Sequence, residues 1–207
     1  MTEIIRAAQP TAAEASAFAD LSNLASGNLQ QQLMGRRTHH VLSEMFKQPG
    51  NLHTYDNVQF VLVNGTITGM LCAYTADRKH EQDGPTNTLY MRSMGLALPR
   101  LLWGGFLLRP VINFLDQTTP QSYYILYLAV YPQYQGRGLG KALLAHAEEN
   151  ARAADAKTLE LDVEINNTVA LNAYQKHGMT ITASSPTIRL EGKRVGLYRM
   201  VKHLKAE

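Results

Sequence analysis

Residues Val130 to Leu144 read VYPQYQGRGLGKALL. Glycines stand at alternate positions, Gly136, Gly138 and Gly140, between an apolar run and a stretch of helical apolar spacing. Glycine weakens the interior of any regular element, so this density marks a backbone that turns sharply or approaches a partner closely. Upstream, Tyr123 to Val130 (YYILYLAV) is an unbroken apolar and aromatic run and reads as a buried central strand. Downstream, Leu139, Leu143, Ala147 and Ala151 fall on one helical face, with Lys141, Glu148, Arg152 and Asp155 away from it. Strand, glycine turn and helix together aim free backbone N–H groups and the positive end of a helix dipole at one spot, which suits a phosphate. Arg137 and Lys141 add positive charge there.

Spacing separates the phosphate-binding families that share this pattern. A Walker A loop needs GxxxxGK[ST], but Lys141 is followed by Ala142 and no glycine lies five residues before Gly140. A dinucleotide fingerprint counted from Gly136 and Gly138 puts Lys141 at its third small position, where close helix–strand packing has no room for it. Glu160 and Asp162 still stand about where a ribose-binding acid belongs, so a nucleotide-dependent oxidoreductase remains the more distant alternative.

The rest of the chain reads as one α/β domain over residues 1–207. IIRAA is a first strand, and TAAEASAFADLSNLAS a helix opened by a Thr11/Glu14 capping box. A second helical tract runs from about Leu29 to Phe46. VQFVLVNGTITGMLCAY is a hairpin turning at Asn64-Gly65. KTLELDV is a strand, and NNTVALNAYQKHG a short helix with an asparagine cap and Gly178 as its stop. MTITA and RVGLYRMV read as two last strands around a loop. Between Thr75 and Gln121, DRKHEQDGPTN reads as a polar loop. A leucine-rich tract follows, near 90–120, predicted as one or two short helices broken near Pro99 and Pro110. That insert either packs on the core or on a second subunit of a homodimer, or it walls the substrate site.

Composition bounds the function. The chain is 45% hydrophobic and 18% charged with a net charge of +3, which accommodates an anionic ligand but lacks the basic excess of a nucleic-acid binder. Its one cysteine, Cys72, sits in an apolar run and reads as a core residue of a reducing compartment. The first residues lack a signal-peptide core, and no apolar run reaches the ~18 residues a bilayer needs. A cytoplasmic protein without a membrane partner is the expectation. The histidines are scattered apart from His39 and His40, no HExxH occurs, and no metal is expected.

A third pattern, Q/R-x-x-G-x-G/A, is met by Gln135, Gly138 and Gly140. With the strand before it and LELDVEINNTVALNAYQKHGM after it, the chain resembles the GCN5-related N-acetyltransferase (GNAT) superfamily. The first segment is similar to that superfamily's motif A. The second, with Asn167, Ala170, Ala173-Tyr174 and Gly178-Met179 in order, is similar to motif B. The likeness covers roughly Tyr123 to Met179 and is loose elsewhere.

The resemblance implies an α/β fold with a mixed, mostly antiparallel sheet, splayed between strands four and five, and helices on both faces. It implies acetyl-CoA as co-substrate and transfer of its acetyl group to a primary amine by direct attack in a ternary complex. The acceptor is a small-molecule or protein amine. The implied cofactor-binding residues are Leu128, Ala129 and Val130 on the strand edge, then Gln135, Gly136, Arg137, Gly138, Leu139, Gly140 and Lys141 around the pyrophosphate. Asn167 and Tyr174 complete the set on the second helix, and Tyr174 is also the implied acid beside the departing thiolate. Glu160, Asp162 and Glu164 share one strand face. Asp162, five residues before Asn167, holds the position of the base in the ribosomal-protein acetyltransferases, although it is one methylene shorter than their glutamate. Water could relay that proton instead. A non-catalytic acyl-CoA-binding sensor on the same fold is the alternative of a different class.

Overall fold

The hairpin at Asn64-Gly65 anchors the architecture, with both residues in the left-handed region (φ 49° and 79°) that a two-residue turn demands. The computed structural model describes residues 3–27, 29–95, 98–190 and 193–204. Its first half holds β1 (Glu3–Ala7), α1 (Ala12–Ala25), α2 (Leu29–Met34), α3 (Thr38–Lys47), β2 (Val58–Val63) and β3 (Thr66–Thr75). Two helices follow, α4 (Ala76–Met94) and α5 (Leu98–Leu115). Then come β4 (Ser122–Val130), α6 (Leu139–Ala153), β5 (Thr158–Glu164), α7 (Thr168–Lys176) and β6 (Thr180–Ser184). The chain closes with β7 (Ile188–Leu190), β8 (Lys193–Val195) and β9 (Leu197–His203).

Seven strands form one sheet in the order β1-β2-β3-β4-β5-β9-β6, and β7 and β8 make a separate hairpin. Every neighbouring pair in the sheet is antiparallel except β4 and β5, which run parallel. This is the mostly antiparallel sheet that the resemblance implies. Helices cover both faces. Phe18, Leu21, Val41 and Phe46 from α1 and α3 bury against Phe60 and Met70. On the opposite face Leu139, Leu143, Ala147 and Ala151 of α6 are buried against Leu71, Leu159, Leu161 and Val163, the face read from periodicity. The Thr11 half of the predicted capping box forms, with the Glu14 N–H donating to Thr11 Oγ1 (3.2 Å), but the Glu14 carboxylate accepts from the Gln9 N–H (2.7 Å) while the Thr11 N–H donates to the Gln9 carbonyl (2.7 Å). A cap of this kind contributes about 1 kcal/mol.

DRKHEQDGPTN is not a loop. It lies inside α4, a 19-residue helix that contains Pro85. The local signals argue against a helix there, and tertiary contacts override them. The Arg78 N–H donates to the Thr75 side chain at the helix start (3.3 Å). Lys79, buried, donates to the carbonyls of Leu115 and Asp116 at the end of α5 (3.0 and 3.2 Å). The Leu52 N–H donates to the Thr86 hydroxyl (2.9 Å). Among the described residues no helix is long and apolar enough to cross a membrane.

Candidate active site

β4 and β5 pair only from Ser122↔Thr158 to Ile125↔Leu161. Beyond that point β4 keeps its other partner, β3, as far as Gly69↔Val130, while β5 follows β9 to Glu164↔Leu197. The two central strands therefore part, and a gap opens between Leu126–Val130 and Asp162–Glu164. A bulge marks the start of the gap: Cys72 faces Tyr127 and Ala73 faces Ile125, which leaves Leu126 as the extra residue. Bulges increase twist and bend a strand away from its neighbour.

Alternation along β4 decides which backbone groups face the gap. The Tyr131 N–H donates across to Thr68 of β3, so the amides of Val130 and Leu128 point the other way. Gln135 Nε2 donates to the Val130 carbonyl (2.9 Å), which confirms that orientation and pins the strand end to the glycine loop. Ala129 turns its amide toward β3.

Gly136 and Gly138 have φ of +76° and +86°. The left-handed region is the reason for glycine at these two positions, because a Cβ on either meets no protein atom within 4 Å. Gly138 is the N-cap of α6 and has no side chain to cap it, so the first N–H groups of the helix stay open toward the end of β4. Arg137 lies over the Tyr134 ring (5.3 Å) and donates to the Gln133 carbonyl (3.2 Å), and Lys141 is exposed. Leu139 is buried in the core, so only its backbone can serve a ligand.

On α7, Asn167 caps the helix by accepting from the Ala170 N–H (3.1 Å). Tyr174, one turn beyond Ala170, is half-buried against the α6-side core. Burial pushes its phenol up to about 12, so the hydroxyl stays protonated at neutral pH. Among the described residues it has no hydrogen-bond partner.

The three carboxylates of β5 have different surroundings. Glu160 is fully buried and accepts from the Thr158 hydroxyl (3.0 Å). The Asp162 side chain is 2% exposed and accepts from Arg199 on both oxygens (3.0 and 2.7 Å) and from the Tyr124 hydroxyl (2.8 Å). The end of α5 seals this group: Arg199 also donates to the Phe114 carbonyl (3.1 Å), and the Phe114 ring covers its guanidinium (4.8 Å). Glu164, like Asp162, is intermediate in exposure as a residue, but unlike Asp162 its carboxylate is not closed in by an ion pair. Its Oε2 stands at the α1–α2 turn, 3.2 Å from where a Cβ on Gly27 would lie. Among the described residues no cation or donor pairs with it.

Sequence reasoning missed a buried polar group around Tyr127 of β4. His53 lies buried between Tyr127, stacked at 5.7 Å, and Tyr90 of α4, whose hydroxyl is 2.8 Å from His53 Nε2. Gln30 of α2 donates to the Tyr127 hydroxyl (2.5 Å). Burial lowers His53 to about 4, which leaves the ring neutral. Gln30 Oε1 and His53 Nδ1 have no partner among the described residues. No local motif announces this group, because its members come from four separate segments. Among the described residues no cluster of His, Cys, Asp and Glu could hold a metal ion.

The model of the acetyltransferase (GNAT) family matches residues 102–179, which span the gap, the glycine loop and α7. Mycothiol acetyltransferase of Corynebacterium glutamicum is 34% identical over 85 residues, covering 40% of this chain and 28% of that protein. A putative ribosomal protein bS18-alanine N-acetyltransferase of Bacillus subtilis is 38% identical over 52 residues, 25% of this chain and 34% of that protein. The chain thus spans about a third of the length of the curated relatives it matches. Among solved structures, a putative acetyltransferase of Salmonella typhimurium with its cofactor acetyl-CoA shares the fold at a TM-score of 0.61 and 17% identity, over 100% of this chain and 96% of that one. The motif spacing, the parted strands and the match of residues 102–179 to the acetyltransferase (GNAT) family fall on the same segment, and the solved neighbour shares the fold.

Proposed function

We propose that the chain is an N-acetyltransferase that moves the acetyl group of acetyl-CoA to a primary amine by direct attack in a ternary complex. The observation that carries this reading is the gap at β4, whose unpaired amides stand next to the open N-terminus of α6. Extended backbone edges bind extended ligands by adding hydrogen bonds, and helix N-termini bind phosphates. The pantetheine arm fits the first and the pyrophosphate fits the second. When bound, acetyl-CoA supplies an acetyl group activated as a thioester.

The chain's own groups then divide the work. The Val130 N–H, directed into the gap, holds the acetyl carbonyl oxygen and stabilises the charge that develops there. Backbone amides from Gly136 to Lys141 hold the pyrophosphate, with Gln135 bracing the loop and Arg137 and Lys141 supplying charge. Leu128 binds the arm through its backbone. Asn167 and the small face of α7 flank it. Tyr174 donates its proton to the departing sulfur, a role its protonated hydroxyl suits.

Glu164 receives the amine. It is the one carboxylate of β5 that no described residue pairs with, whereas Glu160 accepts from Thr158 and Asp162 is committed to Arg199 and Tyr124. On this reading Asp162 holds β4, β5 and β9 together, and Glu164 draws the proton off the incoming ammonium. The neutral group of Gln30, His53, Tyr90 and Tyr127 forms the acceptor wall and offers hydrogen bonds without charge. The acceptor is thus an amine with an uncharged polar neighbour, as at a protein N-terminus or in a small amide. Incubating the protein with acetyl-CoA and a panel of such amines, and measuring thiol release with product mass, tests the proposal. CoA binding without transfer to any amine would overturn it.

A further inference from the structure

Helix α5 is apolar on two sides. Its inner face buries Leu108, Val111 and Phe114. Through Gly104 it also approaches α2 so closely that a Cβ there would meet Leu33 Cδ2 at 2.5 Å. Its outer face presents Leu102, Trp103, Phe106 and Leu107, which are 57%, 65%, 66% and 41% exposed. The spacing of these residues makes one stripe, continued by exposed Pro110. Trp103 and Phe106 already stack on each other, with centroids 6.2 Å apart and rings inclined by 28°. A helix that is hydrophobic all round is normally buried all round. The stripe offers apolar area on the order of 500 Å², at the upper end for a monomer's largest patch and approaching the ~800 Å² per partner of a standard interface.

We infer that this stripe is a dimer interface, covered by α5 of a second copy of the chain. A twofold interface must be complementary to itself, and the placement of charge on α5 satisfies that condition. The helix carries no acidic residue, and its exposed Arg109 has no partner among the described residues. Arg109 and Trp103 each lie three residues from Phe106, on opposite sides. Two antiparallel copies of α5 centred on Phe106 bring the rings of Phe106 and Phe106 of the partner subunit together. The same arrangement sets Arg109 over Trp103 of the partner subunit, a cation–π contact formed twice. An anionic membrane surface is a poorer match, because interfacial helices carry several cations around their apolar face and α5 has two arginines in 18 residues.

Trp103 is the chain's single tryptophan, so its emission reports this surface alone. Sedimentation velocity and Trp103 emission are followed together across a dilution series. The expected result is a dimer at micromolar concentration whose emission moves to longer wavelength as it dissociates. Phe106→Glu sediments as a monomer with an unchanged thermal melt, and Arg109→Glu weakens dimerisation about tenfold. A wild-type monomer throughout the series overturns the inference, as does a dimer that survives Phe106→Glu. So does a monomer whose emission responds only to vesicles containing phosphatidylglycerol.

Discussion

The two sides of the gap are built in different ways. On the proposed reading the cofactor side is local: Leu128 to Lys141 is one continuous segment, and α7 adds a second short one. Its working groups are mostly backbone amides, positioned by a strand end, two left-handed glycines and a helix start. On the same reading the acceptor side is assembled from Gln30, His53, Tyr90, Tyr127 and Glu164, and side chains do nearly all of its work. A site made of backbone tolerates sequence change as long as the turn survives. One made of scattered side chains can be re-tooled for a new acceptor without disturbing the sheet. Breaking each side in turn tests this division.

The largest effect is expected on the cofactor side. Tyr174→Phe keeps the ring and its packing, so acetyl-CoA affinity is nearly unchanged, while the rate of acetyl transfer falls by roughly 10²–10⁴-fold. Single-turnover rates beside a binding isotherm check this. A normal chemical step in the variant would remove Tyr174 from the mechanism and leave α7 as packing.

Next is the sealed ion pair. Arg199→Ala strands Asp162 in a site that is 2% exposed, with only Tyr124 to donate to it. Removing one partner of a buried pair typically costs about 3–5 kcal/mol. Chemical denaturation should show that loss. Asp162→Asn with Arg199 intact should leave much of the activity if Asp162 is structural, and should abolish it if Asp162 is the base.

The contrast also explains what could be read from the sequence. The glycine loop, the hairpin at Asn64-Gly65, the α6 face and the Asn167 cap depend on neighbours within a few residues, and spacing exposes them. The helix over DRKHEQDGPTN depends on Lys79 reaching the end of α5 and Thr86 reaching Leu52, contacts that no local pattern encodes. The burial of the Asp162 carboxylate follows from the same insert, since Phe114 and its carbonyl close over Arg199. Alternation along β5 correctly placed three carboxylates on one face. What closed over Asp162 was set some fifty residues upstream, in α5, whereas Glu164 met the α1–α2 turn.

On the proposed acceptor wall, His53 gives a pH signature. Its pKa is about 4 in the folded chain against 6.5 when exposed. Between these values the unfolded chain binds the extra proton, so the contribution of His53 to stability is complete above pH 6.5. It is lost at about 1.4 kcal/mol per unit as pH falls toward 4. His53→Gln should flatten that slope in urea titrations at successive pH values, and an unchanged slope would place the titration elsewhere.

The smallest effect, and the one that best divides the two sides, is expected at Glu164. If its carboxylate draws the proton from the ammonium, Glu164→Gln should leave CoA binding intact, because the cofactor side contains none of its contacts. The rate at neutral pH should fall by about 10²-fold, the low end for a positioned base, since water in the gap can accept the proton instead. The pH profile carries the sharper information. Without Glu164 the variant must wait for an acceptor that is already neutral in solution, so its rate should climb about tenfold per pH unit toward the amine's own pKa. Wild type, which removes the proton within the complex, should level off earlier, and the two curves should converge at high pH. A merely structural Glu164 would lower the whole profile without changing its shape. Parallel curves would therefore return the base to Asp162 or to water, and would reduce Glu164 to a contact of the α1–α2 turn.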